Sequence, residues 1–208
     1  MKLAAKAVDI RQVSGESPQV LTEILHDGVN LVVWRRQLPA QVEDFCALLV
    51  NLGQSVGDSR VLEVNERDAP QLVGFLPEAV DLHGYEGFVA DVSWLISAYT
   101  CLLGARRIGL RLRVLEGAMC PRFHVDHVPL RLLTTYAGAG SEWLEEGAID
   151  RSNLQQAPVD NIQRLAVGEV ALLKGEKWLG NEGAGLVHRS PTTPAGQRRL
   201  LLSLDWLG

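Results

Sequence analysis

From residue 107 the chain alternates. In RIGLRLRVLE, Ile108, Leu110, Leu112 and Val114 share one parity while Arg111 and Arg113 share the other, the period of two expected of a strand with one solvated face. Upstream the period is longer. After Pro39, the apolar residues Val42, Phe45, Cys46, Leu48, Leu49 and Leu52 recur at steps of three and four, which predicts a helix with Gly53 as its stop. Residues 91–103, DVSWLISAYTCLL, predict the longest helix, ended by Gly104. Being apolar nearly all round, that helix should be buried against a broad surface such as a sheet face. VLTEILHDGVNLVVWRRQLP reads as a short helix, a turn at Gly28 and an apolar strand over Val29 to Trp34. Residues 1–17 lack a clear period and are expected to be loosely attached.

The segments FHVDHV, LRLLTTY, EVALLKG, GLVHRS and RRLLLSLDW are short, rich in β-formers and separated by Gly or Pro. A helical first half followed by an all-β second half argues for an α+β layout. One domain is expected over 1–208, with a mainly helical part at 1–105 packed on a β-sandwich or barrel core at 106–208. GAGSEWLEEG predicts a Gly-rich turn at Gly138 and Gly140 and then a short helix from about Ser141, with Glu142, Glu145 and Glu146 exposed. The stretch 147–167 has the composition of a lid. Trp143, Trp178 and Trp206 are expected as core or pocket walls, and Arg106 and Arg107 as a solvated start of a strand.

Composition narrows the functional classes. Apolar residues make up 47% of the 208 and charged residues 22%, as in ordinary globular proteins. The formal charge of -5, with Lys and Arg scattered, offers no footprint for a phosphate backbone, so nucleic acid is not an expected partner. Neither a spanning apolar run nor the apolar core of a signal peptide is visible, which points to a cytoplasmic protein with no membrane partner. Three cysteines at unrelated spacings, Cys46, Cys101 and Cys120, read as reduced thiols, the first two as core residues.

The densest chemistry is CPRFHVDHVPLR, residues 120–131. On a strand His124 and Asp126 would share a face and His127 would point away, leaving His127 a surface or substrate-side role. A third donor has to come from elsewhere, and His188 is the candidate because His26 and His83 lie in the helical half. Two His and one carboxylate occupy one face of an octahedral ion and leave positions open, the arrangement of non-haem Fe(II) oxygenases. A closed zinc site would instead recruit a fourth ligand, with Cys120 or His127 as candidates.

These residues carry a resemblance. About 106–206 resembles the double-stranded β-helix, or jelly roll, of the Fe(II)- and 2-oxoglutarate-dependent dioxygenases: His-x-Asp at His124 and Asp126, a distal His at His188, and an Arg at Arg198 or Arg199 in AGQRRLLLSLDW. GEVALLKG is similar to the Gly-Asp/Glu strand that commonly precedes the distal His. The resemblance implies a helix-covered β-helix core, an iron held by His124, Asp126 and His188, and 2-oxoglutarate as co-substrate, converted to succinate. The far carboxylate of that co-substrate needs a cation, and a guanidinium is a two-pronged match. Arg199 is preferred because Ser203 shares its face. Tyr136 is expected to add a hydrogen bond, and Arg131 to serve co-substrate or substrate.

More narrowly, CPRFHVDHVPLRLLTTYAGAGSEWL with LVHRSP and RRLLLSLDW resembles a bacterial domain family of unknown function, whose members tend to be encoded near cobalamin-synthesis-like GTPases of zinc homeostasis. That implies a functional link to metal-homeostasis proteins and an alternative activity: a zinc-binding accessory protein using Cys120, His124, Asp126 and His188 without turnover. The leading expectation is an oxygenase, or hydroxylase, of unstated substrate.

Overall fold

The structure is a computed structural model that describes residues 9–52, 56–147, 151, 153–154 and 159–208. Gly53, the expected helix stop, and much of the expected lid lie outside the described residues.

Alternating stretches such as Arg107–Leu115 and largely apolar ones such as Val29–Trp34 and Val170–Lys174 form the sheets. The large sheet has seven strands, β1 (Arg11–Gly15), β2 (Val29–Trp34), β3 (Gly57–Glu63), β4 (Arg107–Leu115), β5 (Leu130–Ala137), β8 (Val170–Lys174) and β10 (Arg199–Trp206). Their spatial order is β1-β2-β8-β5-β10-β4-β3. β1 runs parallel to β2 and the other neighbours pair antiparallel. A small sheet of β7 (Ile162–Arg164), β6 (Glu142–Leu144) and β9 (His188–Arg189), in that order, is extended beyond β9 by a single antiparallel bridge between His188 and His124.

Side-chain parity divides the large sheet into two different surfaces. Leu200, Leu202 and Leu204 of β10, Ile108, Leu110 and Leu112 of β4, Leu130 and Leu132 of β5 and Val170 and Leu172 of β8 are all buried in the principal core. Across that face pack α1 (Ala40–Asn51) and α2 (Tyr85–Leu103), which bury Val42, Phe45, Cys46 and Leu49, and Phe88, Val92, Leu95, Ile96 and Tyr99. On the opposite face Leu31, Val33, Leu133, Ala171 and Leu173 form a second core with Leu165 and Leu186, beneath the small sheet.

Several expectations change. The first half is more than a cover, because β1, β2 and β3 belong to the large sheet. Residues 11–15 are not loosely attached: they pair with β2 over its whole length. α2 begins at Tyr85, six residues before the expected start, and ends as expected at Gly104, whose φ of 58° is the left-handed cap glycine supplies cheaply. Cys46 is buried but Cys101 is exposed, since it sits on the side of α2 turned away from the sheet. GSEWLEEG contains a strand, β6, and not a helix, with Glu142 buried at 5% exposure. FHVDHV is likewise no strand; only His124 pairs, through its bridge to His188. No helix among the described residues is long and apolar enough to cross a membrane.

Candidate metal centre

The bridge is what joins the two ligand segments. The His124 amide donates to the His188 carbonyl and the His188 amide to the His124 carbonyl, each at 3.0 Å, so residues 64 positions apart stand side by side with ring centroids 4.6 Å apart. The chain then bends after His124 and brings the Asp126 carboxylate near the Nε2 atoms of both rings. Gly175, just past β8, makes room for this bend: a Cβ there would lie 2.1 Å from the Val128 carbonyl oxygen and 2.5 Å from that of Asp126. Any side chain at 175 would therefore push the ligand segment away.

Three donor atoms converge as a result. One ligand atom each from His124, Asp126 and His188 lies within 4.8 Å of the others. Asp126 Oδ1 is 3.7 Å from His124 Nε2, and Oδ2 is 3.4 Å from His188 Nε2. Each imidazole has its other nitrogen engaged: His124 Nδ1 is 2.9 Å from the Arg122 carbonyl and His188 Nδ1 is 3.2 Å from that of Leu186. A carbonyl only accepts, so Nδ1 carries the proton and the Nε2 lone pairs are turned toward the shared space. Burial pulls the His188 pKa down to about 4, against the attraction of Asp126. The His188 imidazole is therefore neutral at physiological pH.

Arg131 fixes the carboxylate. Its Nη1 lies 2.7 Å from Asp126 Oδ1, and its Nε and Nη2 donate to Asp205 at 2.6 and 3.1 Å. Asp126 Oδ2 is buried and makes no hydrogen bond among the described residues. A buried carboxylate oxygen without a partner is costly, and a cation at the converging point would relieve it. Two imidazole nitrogens and one carboxylate with an unbonded oxygen suit a divalent ion with positions left over. Cys120 is exposed and lines the adjoining cleft but stands outside the donor group, and His127 is exposed. Neither closes the set to four.

The second feature is Arg199. It is 0% exposed, and its Nη2 donates to Ser141 Oγ at 3.0 Å and Thr135 Oγ1 at 3.3 Å, while Nε and Nη1 have no partner among the described residues. Burial lowers its pKa to about 10, which still leaves it cationic at neutral pH. Gly138 lets β5 turn closely past this side chain: its φ is 80°, and a Cβ would fall 2.8 Å from Arg199 Cα. Arg199 shares its strand face with Leu201, Ser203 and Asp205, and Ser141, Leu201 and Ser203 line the cleft that also contains His124 and His188. By this parity Arg199 stands on the sheet face that carries the His124, Asp126 and His188 cluster.

Two expected residues stand elsewhere. Tyr136 lies on the helix face, 1% exposed, and its hydroxyl donates to Asp91 of α2 at 2.6 Å; its parity is that of Leu130 and Leu132, which carries it away from the donors. Arg198 donates to the Val50 carbonyl at 3.3 Å and to Glu116, on the surface by α1. Sequence reasoning missed Thr135, Ser141, Asp205 and Glu142. The first and third share parity with residues already singled out. Glu142, paired with Arg164 and Arg189, ties the strand carrying His188 to β6 and β7.

Comparison with solved structures gives the fold an outside reference. The rice dioxygenase for auxin oxidation is similar over 96% of this chain and 83% of its own, with a TM-score of 0.51 and 12% identity. The Arabidopsis thaliana dioxygenase for auxin oxidation 1, in binary complex with 2-oxoglutarate, is similar over 96% and 92%, with a TM-score of 0.50 and 12% identity. No curated protein matches the sequence. A family profile described as "Protein of unknown function (DUF1826)" matches residues 15–205. With that match covering most of its length, the chain belongs to the DUF1826 family.

Proposed function

We propose that the protein is a non-haem Fe(II)- and 2-oxoglutarate-dependent oxygenase built on a double-stranded β-helix, with His124, Asp126 and His188 as metal ligands and Arg199 as the anchor of the co-substrate. The observation that carries this reading is the pairing of an open three-donor cluster with a fully buried guanidinium that has two unpartnered nitrogens on the same side of the sheet. A buried cation without an anion is unfavourable unless an anion arrives. A carboxylate matches the fork of Arg199, and the Thr135 and Ser141 hydroxyls hold that fork in place.

Each residue then has a defined task. The Arg122 and Leu186 carbonyls fix the tautomers of His124 and His188, Arg131 orients Asp126 and carries part of its charge, and Asp205 holds Arg131. Arg199, Thr135 and Ser141 bind and orient the far carboxylate of 2-oxoglutarate. Leu133 and Leu201 keep the floor between anchor and metal apolar, which limits water there. When bound, iron and 2-oxoglutarate supply the oxidising chemistry, O2 being consumed with release of succinate and carbon dioxide. The zinc-accessory alternative would require a fourth donor, and Cys120 is not in the donor group.

The test is succinate formation. Protein loaded with Fe(II) should release succinate from 2-oxoglutarate in air even without a prime substrate, slowly, and Arg199→Met should raise the 2-oxoglutarate concentration this requires by roughly 10–100-fold. No succinate above a protein-free iron control would reject the assignment.

A further inference from the structure

Among the described residues, the cleft over the metal donors is lined by Arg111, Arg113, Arg131 and Arg189, and by no Asp or Glu. In a chain of net charge -5, this is a local reversal of sign. Two of the four guanidinium groups are already neutralised, Arg131 by Asp126 and Asp205 and Arg189 by Glu142. Arg111 lies only within 3.7 Å of an Asp205 oxygen that Arg131 already engages, and half of its side chain is exposed. Arg113 has no ion-pair or hydrogen-bonding partner among the described residues. Both project from β4 on the metal side, directly across from Ser203 and Leu201 of β10. Beside them the lining is apolar, with Leu133, Leu201 and Met119.

We propose that the substrate of this site is a small organic anion. Its head group is taken by Arg113 with Arg111, and its apolar body lies on Leu133, Leu201 and Met119 beside the metal donors. This rests on the oxygenase reading for its consequence, but not for its charge logic. Arg199 already provides for the co-substrate carboxylate, so the two β4 arginines are in excess of what 2-oxoglutarate needs. Cleft walls of low dielectric strengthen an uncompensated positive field and draw in anions. The cleft is partly open to solvent, which gives a small molecule a way in.

Isothermal titration of the Mn(II)-loaded protein, with and without saturating 2-oxoglutarate, tests this with three probes of one chain length: hexanoate, hexyl phosphate and the neutral hexanamide. At least one anion should bind about ten-fold or more tightly than the amide, and which one does so identifies the head group. Arg113→Ala should remove most of that difference. Arg113→Glu should invert it in favour of hexylammonium, which a loss of folding would not produce. Equal binding of anions and amide, or an unchanged preference in both variants, would overturn the proposal. So would a loss of 2-oxoglutarate binding in Arg113→Ala with no change for the anions. If wild-type protein binds an anion but not 2-oxoglutarate, the oxygenase reading fails and the anion site stands.

Discussion

The two faces of the large sheet are made by the same strands and do opposite things. On the helix side, β10 contributes Leu200, Leu202 and Leu204 to a dry core; on the other side it contributes Arg199, Leu201, Ser203 and Asp205 to the cleft and its supports. β5 and β4 follow the same rule, with Leu130 and Leu132 against Arg131, and Leu110 and Leu112 against Arg111 and Arg113. Strand geometry explains how one short segment can be both. One face is packed and largely apolar, the other carries unpaired charge, and a single substitution should affect one or the other according to parity.

The largest effect is expected from the donors. His188→Ala should lower metal affinity more than about 100-fold, read as bound metal after dialysis, while leaving the thermal transition of the metal-free protein nearly in place. Next, on the opposite face, Leu202→Ala should cost about 2–5 kcal/mol in urea denaturation without a comparable change in metal affinity. If Leu202→Ala abolished metal binding at unchanged stability, the division between the faces would be wrong.

Arg199→Met separates stability from binding most sharply. It removes a buried guanidinium with two unpartnered nitrogens, so the ligand-free protein should gain about 1–3 kcal/mol, while 2-oxoglutarate affinity falls by roughly 10–100-fold. The smallest effect is a pH dependence at Glu142. Burial opposes its charge, but hydrogen bonds from Arg164 and Arg189 outweigh burial and hold its pKa below the usual carboxylate value. A carboxyl lowered on folding stabilises fully above its unfolded pKa and loses that contribution as pH falls through the folded value. Unfolding followed by denaturant from pH 6 downward should therefore show a loss of stability beginning below about 4.5, and Glu142→Gln should flatten it.

The division between faces was legible wherever alternation ran long. RIGLRLRVLE and RRLLLSLDW announce their strands and their parity, and parity with Ser203 is what favoured Arg199 over Arg198. The same reasoning, carried through LRLLTTY, would have placed Tyr136 with Leu130 and Leu132 and not with the donors. His124 and Asp126 came out together although the strand invoked to align them does not exist; a bend after a one-residue bridge does the aligning. β6 was hidden because its stabilising partners are non-local: Arg164 is 22 residues from Glu142 and Arg189 is 47 away. Local composition around Ser141, with three glutamates, mimics an exposed helix. Charge pairing at a distance has no sequence period, and so neither Glu142 nor the Arg131–Asp205 support could be read from spacing.

If the protein works as proposed, the metal and Arg199 act on one co-substrate. Anaerobic titration of 2-oxoglutarate into the Fe(II)-loaded protein, followed by the visible charge-transfer absorption of an iron-chelated 2-oxo acid, measures this directly. The band should saturate at one equivalent in the wild type and require far more 2-oxoglutarate in Arg199→Met. Absence of the band in iron-loaded wild-type protein, or identical titrations of the two proteins, would contradict it.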